Sequence, residues 1–200
     1  LHISAANKLM TVLVAIENST LDAYVTASTE SIGAEGFVLP LTAGSKYPLE
    51  ELLYAIMLTS ANDAALAVAE HVGGGDISKF VAKMNETARK LGMENTNFTN
   101  PTGLLEENQY TTAKDISILV RYAIKNPSFN RIFSAKVRPW YYENGEIKIL
   151  TSSNNLFWSY EGILGGKTGF NDKERQSIVC TAVKQNMTLI SVVLDTSEAS

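Results

Sequence analysis

Two apolar, β-branched runs, residues 177–184 and 187–194, are separated only by Gln185-Asn186. A connection this short joins strands only in the antiparallel sense, because a parallel return needs a crossover of a dozen or more residues. The last quarter of the chain therefore reads as antiparallel sheet. The residues before it must supply the layer that packs on that sheet. Immediately upstream stands Ile163-Leu164-Gly165-Gly166-Lys167-Thr168-Gly169-Phe170. Its flanking glycines let a backbone pass close to a ligand, and Gly169 is expected to leave room for one. Lys167 offers a positive charge and Thr168 a hydroxyl, a pairing suited to a strand edge that holds a carboxylate. Three common residues in a row also read equally well as a surface turn.

The earlier residues carry a helical rather than a strand period. Ala6, Leu9, Met10 and Leu13 fall at i, i+3, i+4 and i+7, Ile16 extends the stripe, and the helix is expected to end near Asn18-Ser19. Ala5 and Lys8 lie one turn apart on it and share a face. Residues 20–47 are irregular, broken by Gly33, Gly36, Pro40 and Gly44. Pro48 opens a helix carrying Leu49, Leu52, Leu53 and Ile56, which Thr59-Ser60-Ala61-Asn62-Asp63 interrupts. A helix over 64–72 follows and stops at Gly73-Gly74-Gly75. Asp76 then caps another, with Ile77, Phe80, Val81 and Met84 on one stripe. Residues 93–111, rich in Asn, Thr, Gly and Pro, read as a long ordered loop. Thr112 caps a helix that Pro127 closes, and Asn144-Gly145 marks a hairpin between 137–142 and 147–150.

Helices followed by strands make an α+β chain, an antiparallel sheet packed with helices plus a helical cluster. Its 200 residues suffice for one domain, read as 1–200 with a helical region at about 20–135 and a sheet region at about 136–195. With 45% hydrophobic and 19% charged residues and a net charge of −4, no basic patch invites nucleic acid. The one cysteine, Cys180, excludes an internal disulfide and reads as a buried structural thiol. Two histidines and that cysteine argue against a metal site. No apolar stretch is long enough to span a membrane. The chain opens on Leu1 rather than Met, so it reads as a processed or trimmed polypeptide.

Three polar clusters fit one chemistry: Ser4-Ala5-Ala6-Asn7-Lys8, Ser60-Ala61-Asn62 and Lys167-Thr168-Gly169. In this order they resemble the SxxK, SxN and KTG motifs of serine penicillin-binding enzymes. The flanks Tyr47-Pro48-Leu49-Glu50-Glu51-Leu52-Leu53-Tyr54, Phe98-Thr99-Asn100-Pro101-Thr102-Gly103-Leu104 and Leu189-Ile190-Ser191-Val192-Val193-Leu194 narrow it. They look like the D-alanyl-D-alanine carboxypeptidases of low molecular mass, whose fold is of the α/β transpeptidase and β-lactamase-like kind. The resemblance implies that Lys8 is the base, its pKa lowered so that it can accept a proton. It implies that Ser60 relays a proton to the leaving amine and that Asn62 holds the lysine and a substrate backbone group. Lys167 and Thr168 would bind the C-terminal carboxylate of a D-Ala-D-Ala peptide or of penicillin, and the backbone N–H of Phe170 would complete an oxyanion hole. The implied partners are a peptidoglycan stem peptide and β-lactam antibiotics, with no cofactor or metal, and the implied location is extracytoplasmic.

The sequence departs from this pattern in one decisive place. Three residues before Lys8, where a serine nucleophile belongs, stands Ala5. Ser4 is one position away, a rotation of roughly 100° on a helix, and so is expected to point off the Lys8 face. Three explanations stand: an engineered serine-to-alanine change, a natural pseudoenzyme that binds cell-wall peptide (a sporulation module, for example), or an enzyme rewired to use Ser4. The first is favoured, because Lys8, Ser60 and Asn62 are all intact. The chain as written is expected to bind without cutting. A β-lactamase is the lesser reading, since Glu94-Asn95-Thr96-Asn97 makes a poor match for a deacylating loop. The strands that precede the SxxK helix in the family, and the helix that follows its last strand, are not found in the sequence.

Overall fold

The computed structural model describes residues 4–170 and 176–196. Helix α1 (Ser4–Asn18) is the axis of the molecule. Its residues from Ala5 to Ala15 are all buried, the polar Asn7, Lys8 and Thr11 among them. Around it lie β1 (Tyr24–Thr26), α2 (Thr29–Ile32), β2 (Lys46–Pro48), α3 (Leu49–Thr59), α4 (Asn62–Val72), α5 (Ile77–Leu91), α6 (Ala113–Ala123) and α7 (Pro127–Phe133). The strands β3 (Val137–Tyr141) and β4 (Ile147–Thr151), the short helix α8 (Leu156–Ser159), β5 (Ile163–Phe170), β6 (Gln176–Lys184) and β7 (Met187–Thr196) complete the order.

The strands form three antiparallel sheets: β1-β2, β3-β4 and β5-β6-β7. The β6–β7 hairpin turns at Gln185-Asn186 with both residues at positive φ (49° and 63°), the twist a two-residue turn demands. Helix α1 packs on β5 and β6 with one side and on α3, α4 and α5 with others. It thus joins the helical cluster to the sheet, and the α+β class holds.

Several local expectations hold with their stated chemistry. The Asp76 side chain accepts from Ser78 N, and that of Thr112 from Asp115 N. Others change. Pro48 ends β2 and is the N-cap of α3, which begins at Leu49. Residues 20–47 are less irregular than their sequence suggests, since they hold the β1–β2 pair and α2. Pro127 does not close a helix but opens α7, with the Asn126 side chain accepting from Ser128 N and Phe129 N. Proline at a first helical turn loses no bond, so Asn-Pro is a start signal here.

Candidate active site

The buried donors of α1 need acceptors inside the protein, and the loop over 93–111 supplies them. Asn7 Nδ2 donates to Asn100 O at 2.6 Å, Thr11 Oγ1 to Pro101 O at 2.8 Å, and Lys8 Nζ to Thr102 O. Three side chains at positions i, i+1 and i+4 of one helix thus hold three consecutive carbonyls. The loop closes on itself through Asn100, whose Oδ1 accepts from Gly103 N at 2.7 Å and whose Nδ2 donates to Leu104 O at 2.9 Å. Lys8 is 2% exposed. Burial lowers its pKa from 10.5 to about 7. An amine poised there is part neutral at physiological pH and can accept a proton.

The second cluster sits at the joint between α3 and α4. Ser60 is the C-cap of α3 and adopts the left-handed conformation (φ 62°, ψ 31°). Asn62 starts α4 and is almost wholly buried. Its Nδ2 donates to Glu35 O at 2.7 Å, and its Oδ1 is buried without a partner. One N–H of the amide thus ties Asn62 to the wall of the site, and the oxygen is left to meet a donor such as a ligand N–H. Asp63 fixes that wall from beneath. Its buried carboxylate accepts from Leu39 N at 2.9 Å, Leu41 N at 3.2 Å and Ala64 N at 2.9 Å.

The third cluster lies on β5. Lys167 is 1% exposed and donates to Ser60 Oγ and, at 2.6 Å, to Thr168 O. Its pKa is driven well down, first by burial and then by the charge of Lys8. The Thr168 hydroxyl bonds the hydroxyl of Ser153, which follows β4. Gly169 has a different reason from the one its sequence suggests. A Cβ there would lie 2.5 Å from Ala5 N and 3.2 Å from Ala5 Cβ. The glycine lets β5 seat against the first turn of α1, and the space it frees is filled by Ala5 rather than by a ligand.

These elements enclose a cleft of about 790 Å³, lined by Ser4, Lys8, Ser60, Asn62, Thr102, Ser153 and Phe170 among others. Phe37, Leu104 and Leu105 give its rim an apolar character. Lys167 and Thr168 join it through their bonds to Ser60 and Ser153. Ala5 is fully buried against Gly169. Ser4 departs from expectation, since it lines the cleft together with Lys8. Positions i and i+4 share a helix face as surely as i and i+3, so the step from Ala5 back to Ser4 does not leave the Lys8 face. Sequence reasoning also missed Ser153 and the carbonyls of Thr102 and Glu35. A serine in a Ser-Asn turn looks like turn chemistry, and a backbone acceptor has no residue signature.

The family described as D-alanyl-D-alanine carboxypeptidase matches residues 1–198. The chain is 33% identical over 200 residues to D-alanyl-D-alanine carboxypeptidase DacF of Bacillus subtilis, covering 97% of itself and 51% of that protein. It is 32% identical over 189 residues to D-alanyl-D-alanine carboxypeptidase DacB2 of Mycobacterium tuberculosis, covering 94% of itself and 64% of that protein. It thus spans between half and two thirds of the length of these relatives. The crystal structure of the Streptomyces K15 DD-transpeptidase superposes with a TM-score of 0.90 at 29% identity, over 98% of this chain and 81% of that one. No helix among the described residues is long and apolar enough to cross a membrane.

Proposed function

The chain belongs to the D-alanyl-D-alanine carboxypeptidase family, and from that premise we propose that its cleft receives the D-Ala-D-Ala end of a peptidoglycan stem peptide. The observation that carries the reading is that Lys8, Ser60 and Asn62 line one cleft, with Lys167 of β5 bonded to Ser60 at its edge. Lys167 and Thr168 hold the terminal carboxylate. A bound anion beside Lys167 offsets the cost of its buried charge and favours its protonated form. β-Lactams enter by the same route, because their carboxylate imitates the peptide terminus.

Position 5 is the nucleophile's place in this proposal. With serine there, the hydroxyl gives its proton to Lys8 and attacks the carbonyl of the penultimate D-Ala. The backbone N–H groups of residue 5 and Phe170 stabilise the oxyanion. Ser60 passes a proton to the departing D-Ala, and water then hydrolyses the acyl-enzyme. Ala5 carries no oxygen, so the chain as written binds this ligand and leaves it whole. A non-catalytic peptidoglycan-binding module is the second reading, favoured by Ala5 itself. A serine codon at this position in the encoding gene would mark the alanine as introduced; an alanine codon favours the module. Because the proposed substrate lies outside the cytoplasmic membrane, the proposed location is extracytoplasmic.

The test is incubation with a fluorescent penicillin, followed by denaturation and electrophoresis. The chain as written is expected to show no covalent band and Ala5→Ser to gain one. A band on the unaltered chain would overturn the assignment of position 5 and point to Ser4. No acylation of a folded Ala5→Ser variant would count against acyl transfer at this site.

A further inference from the structure

Outside the three sequence clusters, one hydroxyl in the cleft bonds directly to a residue of the third. Ser153 Oγ bonds Thr168 Oγ1, and Ser153 lines the cleft beside Thr151. Its position is fixed from two sides. Ser153 N donates to Leu58 O on α3 at 3.3 Å, and the preceding Ser152 N donates to Lys136 O at 2.8 Å. The following Asn154 is fully buried and lies against β5 at Gly166, where a Cβ would stand 2.2 Å from Asn154 Nδ2. Ser153 is therefore locked between the end of α3 and the strand that carries Thr168.

We propose that Ser153 is a further ligand-binding residue, which with Thr168 forms a two-hydroxyl clamp selecting a free terminal carboxylate over a neutral terminus. The inference rests on the reading of the cleft as a D-Ala-D-Ala site. Each hydroxyl has one O–H to give. In the empty cleft one of the two is spent on the other, and the second remains for a ligand. When a carboxylate arrives, both turn to it, one to each oxygen, while Lys167 and Ser60 stand at its side. A carboxylate accepts on both oxygens, so both hydroxyls donate to a full negative charge, the stronger kind of hydrogen bond. A terminal amide offers one oxygen, and the hydroxyl that meets its N–H₂ must turn and accept in a weaker, neutral bond.

The experiment measures equilibrium binding of the 200-residue chain, which as written performs no turnover at position 5, to Nα-acetyl-L-Lys-D-Ala-D-Ala and to the same peptide with a C-terminal amide. The parent is expected to prefer the acid. Ser153→Ala should weaken the acid roughly tenfold, the loss of one charge-assisted hydrogen bond, and weaken the amide much less, the loss of a neutral one. Ser153→Thr, which keeps the hydroxyl, should restore the acid preference. Equal weakening of both ligands would show that Ser153 only supports the turn, and would overturn the clamp; so would an unchanged acid affinity. A parent that binds neither peptide would overturn the D-Ala-D-Ala reading itself, and the clamp with it.

Discussion

Lys8 gives the sharpest thermodynamic handle on this molecule. Unfolded, it keeps its proton up to the ordinary value of 10.5, whereas burial lowers that value to about 7 in the folded chain. Between those values the unfolded chain binds one proton more than the folded one, so stability rises with pH. The cost of the buried charge is present in full below the folded value and is relieved as pH climbs to the unfolded one. From about pH 7.5 to about pH 9 the relief from Lys8 alone is about 2 kcal/mol. Lys167, lowered in the same direction, adds to the slope. Cys180, raised by burial, subtracts from it equally in parent and variant.

The perturbation is Lys8→Met. It leaves Thr102 O without its donor, at a cost of about 1–3 kcal/mol that does not change with pH. It also frees Lys167 of a positive neighbour, which raises the Lys167 value and flattens the slope further. The assay is guanidinium unfolding at several pH values across this window, with the slope compared rather than the absolute stability. The variant is expected to lose roughly 1.4 kcal/mol per pH unit of slope. An unchanged slope in Lys8→Met would refute the claim that a depressed buried amine sits at this position.

Two further substitutions test the frame of the site. Gly169→Ala puts a methyl 2.5 Å from the Ala5 backbone nitrogen, so it should cost about 1–3 kcal/mol or more by denaturant midpoint; wild-type stability would show that β5 is not seated on α1 as described. Asp63→Asn replaces with a donor one of the two carboxylate oxygens that between them serve Leu39, Leu41 and Ala64. A loss of about 2–4 kcal/mol and weaker ligand binding are expected in calorimetry, and unchanged binding would show that the wall at 35–41 stands without it.

Much of this fold is legible because its signals are periodic. The stripe on α1, the caps Asp76 and Thr112 and the two-residue turn at Gln185-Asn186 each specify a local geometry that tertiary packing then keeps. The β1–β2 pair escaped notice because three-residue strands have no readable period and exist only through their partner. Helix α7 escaped because a proline downstream of a helix reads as its stop, whereas Asn126-Pro127 starts the next one. The site divides in the same way. Lys8, Ser60, Asn62 and Lys167 are picked out by the resemblance of their motifs, but what holds them is not. Thr102 O and Glu35 O are backbone atoms, and Ser153 meets Thr168 across fifteen residues of sequence. The role of Gly169 could not be read either, because one sequence cannot say whether a missing side chain makes room for a ligand or for another part of the chain.

Ser60 has the last consequence. A side chain with a Cβ is uneasy in the left-handed region, and glycine relieves that strain. A serine kept there retains a hydroxyl for Lys167 and forgoes a sturdier helix end. Selection for heat resistance and selection for ligand capture therefore act against each other at this one codon. A library of this protein sorted only by melting temperature would drift towards glycine at position 60, and its hardiest members would be those that had surrendered the side-chain partner of Lys167.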